Sequence, residues 1–440
     1  MSRTIERMTE VARPVGRSTR VPMALAAVAT ALVAVSVWGY WLRARGVQLH
    51  LGVIPLFGAF RFRPTLGVAL TVAVAAGIVT VGPRAGDRLR LPAMLLASWL
   101  AAATWAVALA MATGAHRLTD PLTSRFDYWA AMPAVRQLGL GSFVSTYLDR
   151  LPDYPVHVQG HPPGLLVLYG ALDRIGLTGP GWASGAVIAI GSSAVPAVLL
   201  VARAMAGAAP TRRAAPFLVL APLALFVATT GDAVFMALAA WAIALLALAA
   251  QHDRMVLAAV AGAAGALTLY FTYGLVPLLA TLGGAVLWRW RQRALPLAAA
   301  AVSGAAAMVA AWTVAGFWWL DGLDASHHFY GVRGGNDRPY GYFLVANLAV
   351  FALMLGPAGI AGLMRVRRSP VALLVGAALV AVAMADLSGL SKAEVERIWL
   401  PFLPWVLLAT ATLAGDRVRP WLAAQAGLAI GLQLTMAWPW

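Results

Sequence analysis

The chain has 440 residues, of which 61% are hydrophobic and 11% charged, and its mean hydropathy is +0.77. A water-soluble domain of ordinary composition is far less apolar, and the absence of cysteine excludes disulfide frameworks, thiol nucleophiles and thiolate metal sites. The formal net charge of +16 is spread over short arginine clusters between apolar runs rather than on a basic face interleaved with aromatics, which argues for topology determinants and against nucleic acid as a partner.

Apolar runs of roughly 20 residues, the length a helix needs to cross hydrocarbon, recur from Val21 to the end without the alternation of barrel strands. They predict an all-α fold, a polytopic transmembrane helical bundle of about thirteen spans. In chain order, 1–20 is a cytoplasmic basic tail, 21–113 holds the first three spans, 114–180 is a long outer loop, and 181–440 holds the remaining spans. The run from Val21 to Leu42 is too long for the apolar core of a signal peptide and reads as an uncleaved first helix.

With the N-terminus inside, the turns carrying Arg84/Arg88/Arg90, Arg203/Arg212/Arg213, Arg254, Arg289/Arg291/Arg293, Arg365/Arg367/Arg368 and Arg417/Arg419 all become cytoplasmic. That parity makes His161–Leu177 a juxtamembrane helix on the outer surface rather than a span. Arg43, Arg45, Arg61 and Arg63 go against the pattern, and a re-entrant or surface-lying segment around Leu51–Phe60 accounts for them. Most carboxylates, the single lysine Lys392 and five histidines then share the outer face, where an active site is expected.

Within the outer loop, Asp127 to Leu138 has helical spacing with Trp129, Met132, Val135 and Leu138 on one side, and Gly139 and Gly141 are expected to end it. In YPVHVQGHPPG, Pro162 and Pro163 fix an extended entry to the next helix and leave His161 just ahead of it. His157 and His161 beside Asp153 form a weak candidate metal pair, because Pro162 breaks regular helical spacing.

This order of features, an early acidic residue, an amphipathic helix, a glycine turn and an HPPG-like motif, resembles the first outer loop of the GT-C superfamily of glycosyltransferases, in the branch of protein O-mannosyltransferases and aminoarabinose transferases. The resemblance covers Gly114 to Asp232 best and does not reach the first 90 residues. It implies a sugar donor on a polyprenyl phosphate and an early carboxylate that deprotonates or orients the acceptor hydroxyl. Asp127 in FDYW matches that carboxylate best and Asp120 second, although the family often has two adjacent acids where this chain has Asp127 followed by Tyr128. Similar enzymes carry a second outer acid at a turn between spans, which Asp232 in TTGDAVF matches. Helix capping is the alternative role for each of these aspartates.

Near the end, Lys392, Glu394, Glu396 and Arg397 precede an aromatic, proline-rich span, and cations there suit a lipid phosphate, with interfacial snorkelling partnered by Glu396 or Glu394 as the alternative. The segment holding Trp318, Trp319, His327, His328, Tyr330, Arg333, Asp337, Arg338 and Tyr340 suits sugar recognition or an aromatic belt, and Tyr273 marks the same surface. The expectation is an inverting transfer with Asp127 as base, Asp232 assisting, Arg397 and Lys392 at the phosphate, and His157, His161, Tyr128, Glu396, Arg338 and Tyr340 around the substrate. No cofactor is required, and assistance by a divalent cation is left open. The acceptor class is an envelope glycan, lipid or protein, in the cell membrane of an organism whose Ala, Arg and Gly bias points to a GC-rich genome such as an actinobacterium's. A transporter or flippase of a lipid-linked or polar substrate is the alternative, set against it by the scarcity of mid-span charges and of internal repeats.

Overall fold

The apolar runs become helices because hydrocarbon offers the backbone no hydrogen-bond partners other than its own. The computed structural model describes residues 20–228, 230–415 and 418–439, so the expected basic tail and the Asp416–Arg417 part of the last arginine turn lie outside the described residues. The chain is 77% helix and 1% strand. Among the described residues seven helices are long and apolar enough to cross a membrane: α1 (Arg20–Ala44), α2 (Gly67–Arg88), α3 (Leu91–Met111), the nearly continuous pair α7 (Pro180–Ser192) and α8 (Ala194–Ala206), α10 (Asp232–His252), α13 (Ala294–Val314) and α15 (Tyr340–Leu363). Three shorter apolar helices, α11 (Met255–Leu269), α12 (Val276–Arg289) and α16 (Ala372–Leu387), lie among them.

Two of the apolar runs that make up the expected thirteen spans, 214–230 and 397–415, are broken. In place of 214–230, α9 (Ala208–Val219) stops ahead of Pro222 and a tight turn Pro222–Phe226 follows. In place of 397–415, Pro401 and Pro404 divide the chain into the single turn α17 (Val395–Ile398), the turn Leu400–Phe402, the short α18 (Leu403–Leu407) and the turn Leu408–Thr412. Nearly all of Val395–Ala411 is buried, enclosed by α9, α10, α15 and α16. Irregular backbone at membrane depth is tolerated where protein surrounds it.

The bundle has a centre and a rim. The central helix is α10, apolar around its whole circumference and packed on α7, α8, α11 and α12. At the rim, α13 buries only Leu297 and leaves Leu295, Val302 and Val314 exposed. It is held to α11 by backbone proximity: a Cβ on Gly262 or Gly304 would lie 1.8 Å from the carbonyl of Ala301 or Ala259. Small-residue contacts of this kind join helices where solvent supplies no hydrophobic drive, and the exposed apolar side suits lipid.

The two ends of the bundle differ in chemistry. At one end the α2–α3 and α8–α9 turns meet, where Arg212 donates through Nη1 to the carbonyls of Asp87 (3.1 Å) and Leu89 (2.8 Å). At the other end α2 begins beside the last carbonyl of α3, with Gly67 against Met111, and α10 begins at Asp232. There the segment after α1 turns back over α15, burying Leu49, Leu51 and Ile54 against Tyr342, Phe343 and Ala346. Its strand β1 (Ala59–Phe60) pairs antiparallel with β2 (Met436–Ala437), which follows α19 (Val418–Thr435). The expected surface-lying segment is thus an extended loop.

The long loop after α3 builds a helical layer at this same end: α4 (Met132–Ser145), α5 (Val156–Gln159) and α6 (Gly164–Arg174). Met132 and Val135 are buried and Trp129 and Leu138 partly so, matching the expected apolar stripe. As expected, the helix that carries this stripe ends at Gly139, whose backbone is non-helical (φ 70°, ψ 161°), and a second helical stretch of α4 then runs through Gly141 to Ser145. A second layer helix, α14 (Trp319–Val332), packs on α5.

Candidate active site

Asp127 enters the site through a cap. It precedes the tight turn Tyr128–Ala131, and its Oδ1 accepts from the Tyr128 amide at 2.7 Å, so the capping role weighed for this residue is met by one oxygen. The other oxygen, Oδ2, lies 3.2 Å from His157 Nδ1. His157 is brought there by α5, whose first turn is tied down where the His157 amide donates to the Phe126 carbonyl at 3.2 Å.

One turn later His161 Nδ1 lies 2.8 Å from the His157 carbonyl. A carbonyl can only accept, so Nδ1 carries the proton and Nε2 keeps the lone pair. The Tyr147 hydroxyl steadies this corner from the carbonyls of Val158 (2.9 Å) and His161 (2.8 Å). Pro162 and Pro163 then release the chain into α6 as expected, at Gly164, whose amide donates to the Tyr270 carbonyl at 2.9 Å. Any Cβ at Gly164 would lie 2.3 Å from that same oxygen.

The second half of the site comes from the bundle. Asp232 is the first residue of α10 and does not cap it; its Oδ2 accepts from Arg397 Nη1 at 2.6 Å, and both side chains are 5% exposed. Arg397 Nη2 donates to Glu394 Oε2 at 2.8 Å.

Tyr128 and His161 join the halves. The Tyr128 ring lies 5.7 Å from His161 and 6.3 Å from His157, and Gly231 brings the start of α10 within 3.6 Å of the Tyr128 ring, measured from a built Cβ. The His161 ring faces Phe235, one turn into α10, at 5.5 Å. The Tyr128 hydroxyl is buried without a hydrogen-bond partner and feels the charges of Asp232, Asp127 and Arg397. Burial, helped by the two carboxylates, pushes its pKa well up, so it is a proton donor at neutral pH. Burial pushes His161 down to about 4 despite the opposing pull of Asp232, so it is a neutral acceptor.

Asp127, Tyr128, His157, His161, Asp232 and Arg397, all expected from sequence, are therefore brought together. Others are not. Asp120 is exposed beside Arg117. Tyr273 packs on Trp319 at 5.4 Å and against Gly322. Tyr340 donates to the Leu387 carbonyl at 3.0 Å. Lys392 does not join Arg397 on a shared partner; its amine reaches the Gly335 carbonyl at 3.4 Å, and the Lys392 carbonyl accepts from Arg338 Nη1. The reason is local: Ala393 and Glu394 both take left-handed backbone (φ 74° and 61°), which reverses the chain between the two cations. Glu396 is fully buried and accepts from the Phe57 amide at 2.9 Å.

Of the two glutamates the sequence offers as partners for these cations, Glu394 pairs with Arg397, at i,i+3 spacing. Sequence reasoning missed Gln159, which accepts from Arg333 Nε at 2.7 Å and ties the α14 end to the loop layer, and nothing in the sequence marks that pair. Among the described residues no three His, Asp or Glu side chains are grouped to hold a metal ion. No protein family, curated protein or solved structure matches the chain.

Proposed function

We propose that this protein is a GT-C-like membrane glycosyltransferase that moves a sugar from a polyprenyl-phosphate donor to an acceptor hydroxyl on the non-cytoplasmic face. The observation that carries the reading is the convergence of two carboxylates, one arginine, two histidines and a tyrosine, drawn from the outer loop, α10 and α17, at the end of the bundle away from the arginine turns. On this reading the chain crosses the membrane about thirteen times. The seven long and three shorter apolar helices are joined by α9 with its following turn, the broken segment Val395–Thr412 and α19, and α4 to α6 lie at the outer surface.

The roles follow from the partners. Asp127 is the base, because its Oδ2 meets only a histidine, which can accept the proton onward, whereas Asp232 is neutralised by a buried guanidinium. Arg397 lies at the donor phosphate, where it offsets charge that develops as the sugar departs. Tyr128 O–H and His161 Nε2, one donor and one acceptor, suit the hydroxyls and ring oxygen of a sugar. The donor's apolar tail lies along the lipid-facing helices.

The test is sugar transfer from radiolabelled polyprenyl-phosphate mannose and polyprenyl-phosphate arabinose by purified protein, with Asp127→Asn and Asp232→Asn as comparisons. Turnover by the wild type that disappears in a folded Asp127→Asn variant supports the reading. Absence of turnover with either donor across a range of acceptors overturns it in favour of transport of a lipid-linked substrate.

A further inference from the structure

Glu394 differs from the other members of the buried ion network. Its side chain is 22% exposed where those of Arg397 and Asp232 are 5%, and it stands on two consecutive left-handed, non-glycine residues, Ala393 and Glu394. Such backbone is unfavourable for residues with a Cβ and persists where surrounding contacts impose it, often in segments that switch. Here the contact is the Arg397 Nη2 to Glu394 Oε2 bond at 2.8 Å.

The surroundings of that carboxylate are richer in donors than one carboxylate can use. The Tyr330 hydroxyl is buried without a hydrogen-bond partner and lies within electrostatic reach of both Arg338 and Glu394. Arg338 Nε is also buried and unpartnered, while Nη1 of the same residue donates to the Lys392 carbonyl. The Lys392 amine makes only a long 3.4 Å contact to the Gly335 carbonyl, and Gly335 lies directly under the Tyr330 ring, 2.5 Å from a built Cβ. Buried donors are almost always satisfied, so orphans grouped around one carboxylate call for an explanation.

We propose that this niche, formed by Arg397, Arg338, Lys392 and Tyr330, is a phosphate site, and that Glu394 is a built-in anion that holds it until a substrate phosphate displaces it. The proposal rests on the transferase reading for the identity of the ligand alone. Planar guanidinium groups match phosphate oxygens, and the ammonium adds a mobile point charge. With Glu394 in place, Arg397 is shared between two carboxylates and attracts no further anion. With Glu394 turned out into solvent, Arg397 keeps Asp232 and loses its second carboxylate, and Arg338 and Lys392, joined through the Lys392 carbonyl, add positive charge that complements a phosphodiester donor or its monoester product. Asp232 stays, since its pairing is the more deeply buried of the two. In the empty protein the plug gives Arg397 Nη2 a carboxylate partner beside the Asp232 pairing on Nη1.

The experiment measures binding of decaprenyl monophosphate and, separately, of inorganic phosphate to the full chain in detergent, for wild type, Glu394→Gln and Arg338→Gln. Glu394→Gln removes the competing charge and keeps the side-chain size, and is expected to tighten the lipid phosphate about tenfold, roughly the effect of one partly exposed like charge. Arg338→Gln is expected to weaken it by a similar factor. A gain for both probes assigns the site to the phosphate group itself, a gain for the lipid alone makes the tail part of recognition, and unchanged or weaker binding of both in Glu394→Gln overturns the proposal. A second measurement leaves the niche intact. Leu390, 59% exposed and close ahead of Glu394, is replaced by cysteine (Leu390→Cys) in this cysteine-free chain and labelled with a fluorophore. Saturating decaprenyl phosphate should change its emission as the turn moves, and an unchanged signal at saturation overturns the displacement. A chain that shows both effects but transfers no sugar retains the plug and loses the transferase reading.

Discussion

The two carboxylates of the site sit in opposite settings. Asp127 belongs to a loop layer, is held by a backbone amide and a partly exposed histidine, and has no full positive charge against it when that histidine is neutral. Asp232 begins the central helix and is locked by a guanidinium that is itself shared with Glu394. A carboxylate that must accept a proton cannot be tied to a permanent cation, because the ion pair lowers its basicity. The loop half is therefore fitted for chemistry and the bundle half for holding charge, and a substitution in each should be read by a different instrument.

The sharpest contrast is Asp127→Asn, which preserves the cap because the amide oxygen can still accept from Tyr128. Turnover should fall by about 10²- to 10⁴-fold, the usual range for a lost general base, with thermal unfolding in detergent unchanged. A large loss of stability instead would make Asp127 a structural cap. Arg397→Gln should reverse the pattern, destabilising the protein by about 3–5 kcal/mol because Asp232 is left charged and buried. Asp232→Asn should cost less, since Glu394 still partners Arg397, and equal unfolding temperatures for the two variants would contradict this ordering. His157→Gln should lower turnover by roughly ten- to a hundredfold through misplacement of the Asp127 carboxylate, and an unchanged rate would remove His157 from the mechanism.

One buried group of the loop layer gives a pH signature. The folded His161 binds its proton more weakly than the unfolded chain does, at about 4 against an ordinary 6.5, so stability falls as pH drops through that window and is unaffected above it. His161→Gln should flatten the loss on the acid side, measured by unfolding temperature between pH 4 and 9. A His161→Gln variant that tracks wild type at every pH would place the titration elsewhere.

Much of this molecule was readable from local pattern. Long apolar runs imply helices in hydrocarbon, and most helix boundaries followed from them. Asp127 ahead of an apolar turn announced a cap, and Pro162 and Pro163 placed His161 at the mouth of α6. Where two prolines cut the expected span after Arg397, the sequence held the cause, but the apolar count hid it. Lys392 and Arg397 share no partner because a left-handed turn lies between them, and neither Ala393 nor Glu394 is a residue that signals one.

Pairing across the chain was not readable. Asp232 and Arg397 are 165 residues apart, and Phe57 and Glu396 are 339 apart. Composition and periodicity act within a few turns of helix, so the sequence alone determined that the chain is a set of apolar helices with arginine turns and an aromatic loop layer. Which charges meet depends on how the helices pack, and only the tertiary structure decided that Arg397 neutralises Asp232 and leaves Asp127 to a histidine. A buried ion must find its counter-ion wherever packing brings one within reach.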